Sequence, residues 1–213
     1  LISVNGHEIR DVLDYQFYLD DAPELVIEKP NGKRRKIHLK LGEGETGLEF
    51  ETYLMDKQRS CANNCIFCFI DQLPKGLRES LYFKDDDSRL SFLQGNYVPP
   101  TNMCDYDLDR IIRFHLSPVN ISFQTMNPDL RCKMLHNRFA GQALKKVDKL
   151  YQGGVTMNGQ IVLCRGINDR EELEYSLEKL SEYAPVLQSV SIVPVGLSKY
   201  RKGLYPLESF DKE

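Results

Sequence analysis

From residue 107 to residue 193 the chain alternates apolar runs of strand length with amphipathic stretches of helix length. Leu108, Ile111, Ile112 and Phe114 recur at helical spacing before a strand-like stretch at 119–123. A second amphipathic stretch, 141–151, stops at Gly153-Gly154 and leads to Ile161-Val162-Leu163. Asn168-Asp169 caps a third, from Arg170 to about Tyr183, before a run at 190–193. Two earlier runs, 52–55 and 90–93, also read as strands, which makes five. Strand–helix–strand units require parallel pairing, because each helix carries the chain back over the sheet. The class is therefore α/β, and periodicity alone leaves an open doubly wound sheet and part of a barrel both standing. In either, reactive groups gather at the C-terminal ends of the strands. That rule puts Cys61, Cys65 and Cys68 after the first strand, Gly95 and Asn96 after the second, Gln124 after the third and Arg165 after the fourth, all on one rim.

Residues 1–41 follow a different pattern. Ile2-Ser3-Val4 reads as a strand, Asn5-Gly6 as a tight turn and 12–19 as a short helix. Leu25-Val26-Ile27 and Ile37-His38-Leu39 read as a hairpin closed at Asn31-Gly32. The basic run Lys33-Arg34-Arg35-Lys36 is then a solvated strand start. Glycine-rich residues 42–50 are the expected linker, with the larger domain at 51–213. The opening Leu1-Ile2-Ser3-Val4 and the helix-start signature of Ser209 to Glu213 carry the expectation that the sequence is a piece of a longer chain.

Half of the six cysteines fall in "SCANNCIFC". A zinc ion in a closed structural site wants four ligands, so Cys104, Cys132 or Cys164 would have to return to this turn. A disulfide uses two thiols and strands the third. Chance crowding is the plainest account. An iron–sulfur cluster on three thiolates leaves one iron without a protein ligand. With 213 residues, a formal charge of −3 and 28% charged side chains, the chain offers neither a nucleic-acid footprint nor a membrane span, and its cysteine usage fits the reducing cytoplasm. His115 and His136 lie in or beside helical stretches and read as structural.

The spacing Cys-x3-Cys-x2-Cys, with Phe67 before the last cysteine, resembles the radical S-adenosylmethionine (radical SAM) superfamily. The turn Leu93-Gln94-Gly95-Asn96 stands where that family has a glycine-rich segment, and "MNPDLRCKMLHN" is similar to the stretch after its third strand. "ISVNGHEIRD" is similar to the second half of a PDZ-like domain. Together with "DDDSRLSFLQGNY" and "IVPVGLSKYR", it resembles a bacterial subgroup that joins a PDZ-like domain, a radical SAM core and a C-terminal domain of unknown function.

The resemblance implies a truncated partial (β/α) barrel at 51–213, preceded by a partial PDZ-like α+β domain at 1–41. It implies a 4Fe–4S cluster on Cys61, Cys65 and Cys68, and S-adenosylmethionine (SAM) on the free iron. Reductive cleavage would then yield methionine and a 5′-deoxyadenosyl radical that takes a hydrogen atom from a substrate, an oxidoreductase- or transferase-type activity. Phe67 would lie near the adenine, Gly95 and Asn96 near the methionine moiety, and Gln124 and Arg165 at the rim. An external donor of the flavodoxin or ferredoxin type would deliver the electron. The PDZ-like part would bind a peptide or protein partner, or dock on the barrel as architecture. The rival class is a non-catalytic PDZ-like adaptor with a structural zinc or cluster.

Overall fold

The computed structural model describes residues 1–40 and 46–211. Residues 42–45 of the expected linker lie outside them. The chain divides into two compact units, Leu1–Gln58 and Arg59–Glu213.

In the first unit β1 (Ser3–Val4) turns into β2 (His7–Glu8) through Asn5 and Gly6, both at positive φ, as a two-residue turn of this hand demands. Helix α1 (Val12–Tyr18) starts at Asp11, whose carboxylate accepts from the backbone N–H groups of Leu13 and Asp14. β3 (Glu24–Glu28) and β4 (Arg34–His38) form the hairpin expected at Asn31-Gly32. The sheet is antiparallel in the order β2-β1-β3-β4, and Val4, Ile9, Tyr15 and Leu25 are its core. The basic run lies on exposed β4, where Lys36 and Arg34 meet Glu24 and Glu28 of β3.

Residues 52–55 are a turn and not a strand. Leu54 is buried in the first unit and its carbonyl accepts from Val12 N at 3.2 Å, so this segment closes the small unit and does not feed the larger sheet.

The second unit carries a parallel sheet. β5 (Val119–Ser122), β6 (Met157–Leu163) and β7 (Leu187–Pro194) lie in sequence order, with Ile121 opposite Gly159 and Gly159 opposite Val190. Helices α3 (Asp105–Arg113), α4 (Pro128–Leu135), α5 (Lys145–Gln152) and α6 (Arg170–Ser181) alternate with them. Phe123, Met157 and Ile161 are fully buried with Ile111, Val147 and Leu150, each such side chain contributing about 1.5–3 kcal/mol.

The expected strand at 90–93 is a helix, α2 (Arg89–Gln94). Leu90 is buried on its inner face, and Gly95 ends it at φ 74°. The strand-like contact comes later, at Val98 alone. Its N–H donates to Asn120 O at 3.0 Å and its carbonyl accepts from Ser122 N at 3.0 Å. Pro99 and Pro100 follow, and without N–H groups they cannot extend that ladder. Three parallel strands and one bridging residue thus replace five strands. No helix among the described residues is long and apolar enough to cross a membrane.

Candidate metal and cofactor site

The cysteine loop has no regular secondary structure, so its shape depends on tethers to its neighbours. Arg59 opens it with a paired fork onto Asp107 of α3, at 2.7 and 3.1 Å, while its N–H donates to Asp87 at 3.0 Å. Burial alone would raise the Asp107 carboxyl, but Arg59 and the N–H of Cys104 overcome it and hold the group below its usual value. Next, Cys61 N donates to Lys84 O at 2.6 Å. The far side of the loop hangs on the C-terminal turn of α4, whose otherwise unpaired carbonyls receive it. Asn64 N donates to Leu135 O and Ile66 N to Met134 O, both at 2.9 Å.

Asn63 knits the loop internally. Its N–H lies 3.4 Å from the Cys61 sulfur, and its side-chain amide donates to Thr101 at 2.8 Å and accepts from Asn137 at 2.9 Å. Cys61, Cys65 and Cys68 are all free thiols, and all three line one cavity of about 350 Å³. Phe67, Asp86, Tyr97, Gln124 and Gln160 share its wall. An adjoining recess of about 420 Å³ is lined by Asp86, Gly95, Asn96 and Tyr97.

A model of the radical SAM-like domain matches residues 40–190, which include this loop and the sheet behind it. The chain belongs to the radical SAM-like family. No curated protein matches it.

Within the radical SAM-like unit the cavity's electrostatics follow from burial. Withdrawal from water, then the neighbouring thiols Cys61 and Cys68, push Cys65 up to about 12. Cys61 is also raised, by burial first and then by the Asp86 carboxylate beside it. These thiols carry their protons until a metal centre displaces them. Asp86 itself is raised, chiefly by burial, and its Oδ2 is buried with no hydrogen-bond partner.

The donor set suits a cluster better than a single ion. A zinc site gathers four donors on one point. Among the described residues no group of three or more His, Cys, Asp or Glu side chains closes in that way. A cube takes each thiolate at a separate corner, so three thiols spread around one cavity meet its need.

The other residues singled out from sequence fall in different places. Phe67 lines the thiol cavity, and Gly95 and Asn96 line the adjoining recess. Gln124 reaches the cavity wall, but its Oε1 accepts from Val162 N at 2.7 Å and so braces β6. Arg165 is not brought to the cavity. It donates to Asp211 at 2.6 Å and to Ser209 O at 3.1 Å on the surface. Cys104 is exposed, Cys164 is buried in the core, and the Cys132 sulfur accepts from Gly141 N at 3.3 Å, so none of the three joins the loop thiols. His115 and His136 follow α3 and α4 as left-handed residues that end their helices. Sequence reasoning passed over Asp86 and Arg131. The run Asp85-Asp86-Asp87 was visible, but nothing in it showed that Asp86 and Asp87 are turned inward or that Asp86 keeps an oxygen without a partner.

Proposed function

We propose that the chain binds a 4Fe–4S cluster through Cys61, Cys65 and Cys68, and SAM beside it, as a radical SAM enzyme. The observation that carries the reading is that three free thiols of one loop line a single cavity whose described lining holds no other cysteine. When bound and reduced, the cluster supplies the electron that splits the sulfonium, giving methionine and a 5′-deoxyadenosyl radical that takes a hydrogen atom from the substrate.

The chain's own residues bind, orient and enclose. The backbone N–H of Asn63, directed at the Cys61 sulfur, favours its thiolate form. Phe67 offers a flat apolar ring on the cavity wall for the adenine. Gly95, left-handed and with only Asn120 Nδ2 at 3.8 Å from where a Cβ would stand, lets the methionine moiety approach the backbone, and Asn96 offers amide donors and acceptors beside it. The unpartnered Asp86 oxygen suits the ligand's ammonium, which would repay the cost of burying that carboxylate. Gln124 holds the wall in place through β6. An external one-electron donor would serve the cluster. The antiparallel first unit, read as PDZ-like, would take an extended peptide along an edge of its sheet.

Anaerobic reconstitution with iron and sulfide, followed by dithionite and SAM, is expected to yield 5′-deoxyadenosine. Cluster-loaded protein that forms none would count against catalysis and leave a structural cluster.

A further inference from the structure

Arg131 stands in α4 one turn ahead of Met134 and Leu135, the two residues whose carbonyls receive the loop amides on either side of Cys65. Arg131 thus stands one helical turn before the carbonyls that hold the cysteine loop. Its side chain is 0% exposed. Nε donates to Phe123 O at 2.9 Å, Nη1 to Ala140 O at 2.6 Å and Nη2 to Ser122 O at 3.1 Å. Ser122 and Leu135 both line the thiol cavity, so the guanidinium sits behind the wall that holds Cys65.

Three carbonyls satisfy its N–H groups but bring no negative charge. Among the described residues no carboxylate forms an ion pair with it. Arg89, equally buried, has Asp87 at 2.6 Å. A fully buried cation is retained when an anion answers it. The groups that act on its charge are Cys65, then Cys132, then Asp86, and of these Cys65 turns negative when it ligates metal.

We propose that Arg131 is a positioning residue whose fixed positive charge, acting through Cys65, compensates the cluster and raises its reduction potential. This rests on the cluster being held by Cys61, Cys65 and Cys68. Reduction adds one electron, taken from an external donor, and with it one negative charge. No bond is made or broken in that step. A fixed cation behind the thiolate favours the more negative state. Although burial draws the guanidinium down to about 10, it stays protonated at neutral pH.

The test is a redox titration of the reconstituted full chain, followed by electron paramagnetic resonance, for the wild type and for Arg131→Met, Arg131→Gln and Arg131→Lys. Removing the charge is expected to cut the ratio of reduced to oxidised cluster at fixed potential at least tenfold, a shift of about 59 mV to more negative values. Arg131→Lys keeps the charge and is expected to stay near the wild type. Arg131→Gln keeps a donor for the carbonyls and carries the comparison if the Met variant folds poorly. Equal potentials in the wild type and the neutral variants would overturn the proposal. So would a Lys variant shifted as far as the neutral ones, because the role would then be structural. A wild type that holds no cluster would instead overturn the cluster assignment on which the proposal stands.

Discussion

Arg89 and Arg131 are both withdrawn completely from water, in two regions of the same unit that supply them differently. At the start of α2, Arg89 finds Asp87, whose carboxylate accepts from its Nε at 2.8 Å and its Nη2 at 2.6 Å. In α4, the hydrogen-bond partners of Arg131 among the described residues are backbone carbonyls alone. Asp86 is the converse, a buried carboxylate with one oxygen unanswered. The region around Asp87 is electrostatically complete as folded. The region around the thiols has a cation behind one part of its wall and a buried carboxyl on another, an arrangement suited to an anionic cluster beside a cationic ligand.

Substitutions can break this contrast, and the largest effect belongs to the thiols. Cys65→Ala should abolish cluster loading, measured as iron, sulfide and visible absorbance, while Cys104→Ala loads fully. A brown, loaded Cys65→Ala protein would contradict the assignment. Asp87→Ala should come next, because it removes the carboxylate that accepts from the buried Arg89 guanidinium and from Arg59 N. The expected cost is about 3–5 kcal/mol in urea denaturation, with a loss well below that range showing that Arg89 is not held by its carboxylate.

Asp86→Asn should act in the opposite sense on the metal-free protein. Burial holds the folded carboxyl above its unfolded value, so the folded state keeps its proton longer than the unfolded state does. Stability is therefore lost as pH rises from the ordinary carboxylate range to the raised folded value. The Asn variant lacks that slope and should gain roughly 1–3 kcal/mol over the wild type by the top of that window. Parallel stability curves for the two proteins would refute the inward, unpaired placement. The smallest effect is Arg165→Ala. Its partner Asp211 is at the surface, and both the urea midpoint and cluster loading should be unchanged.

Much of this contrast is invisible in the sequence, and the reason is tertiary. The cysteine spacing is local, so the loop was legible. The strands at 119–123, 161–163 and 190–193 were legible because Val119, Ile121 and Phe123 alternate with polar residues, Ile161-Val162-Leu163 is a continuous apolar run, and Val190, Ile192 and Val193 are β-branched. The run at 90–93 failed because four residues with apolar positions 90, 92 and 93 satisfy helix and strand alike. Val98 bridges the sheet alone, and one residue has no period. Helix α4 had a readable start, Asn127 as N-cap with Pro128 in the first turn, but its role as the seat of the cysteine loop depends on carbonyls that any residues would supply. Gln124 and Arg165 looked alike as strand-end polar residues. The structure separates them because Val162 N engages one inside and Asp211 draws the other outward. Arg131 and Asp86 were ordinary charged residues until the fold buried them.

The central claim is that the three loop thiols leave one iron open to SAM. Electron paramagnetic resonance of the reduced, reconstituted full chain, recorded before and after saturating SAM, tests it most directly. The account predicts a 4Fe–4S signal that changes shape when SAM is added. A cluster signal that SAM leaves untouched, or a colourless protein with one zinc per chain, would contradict it.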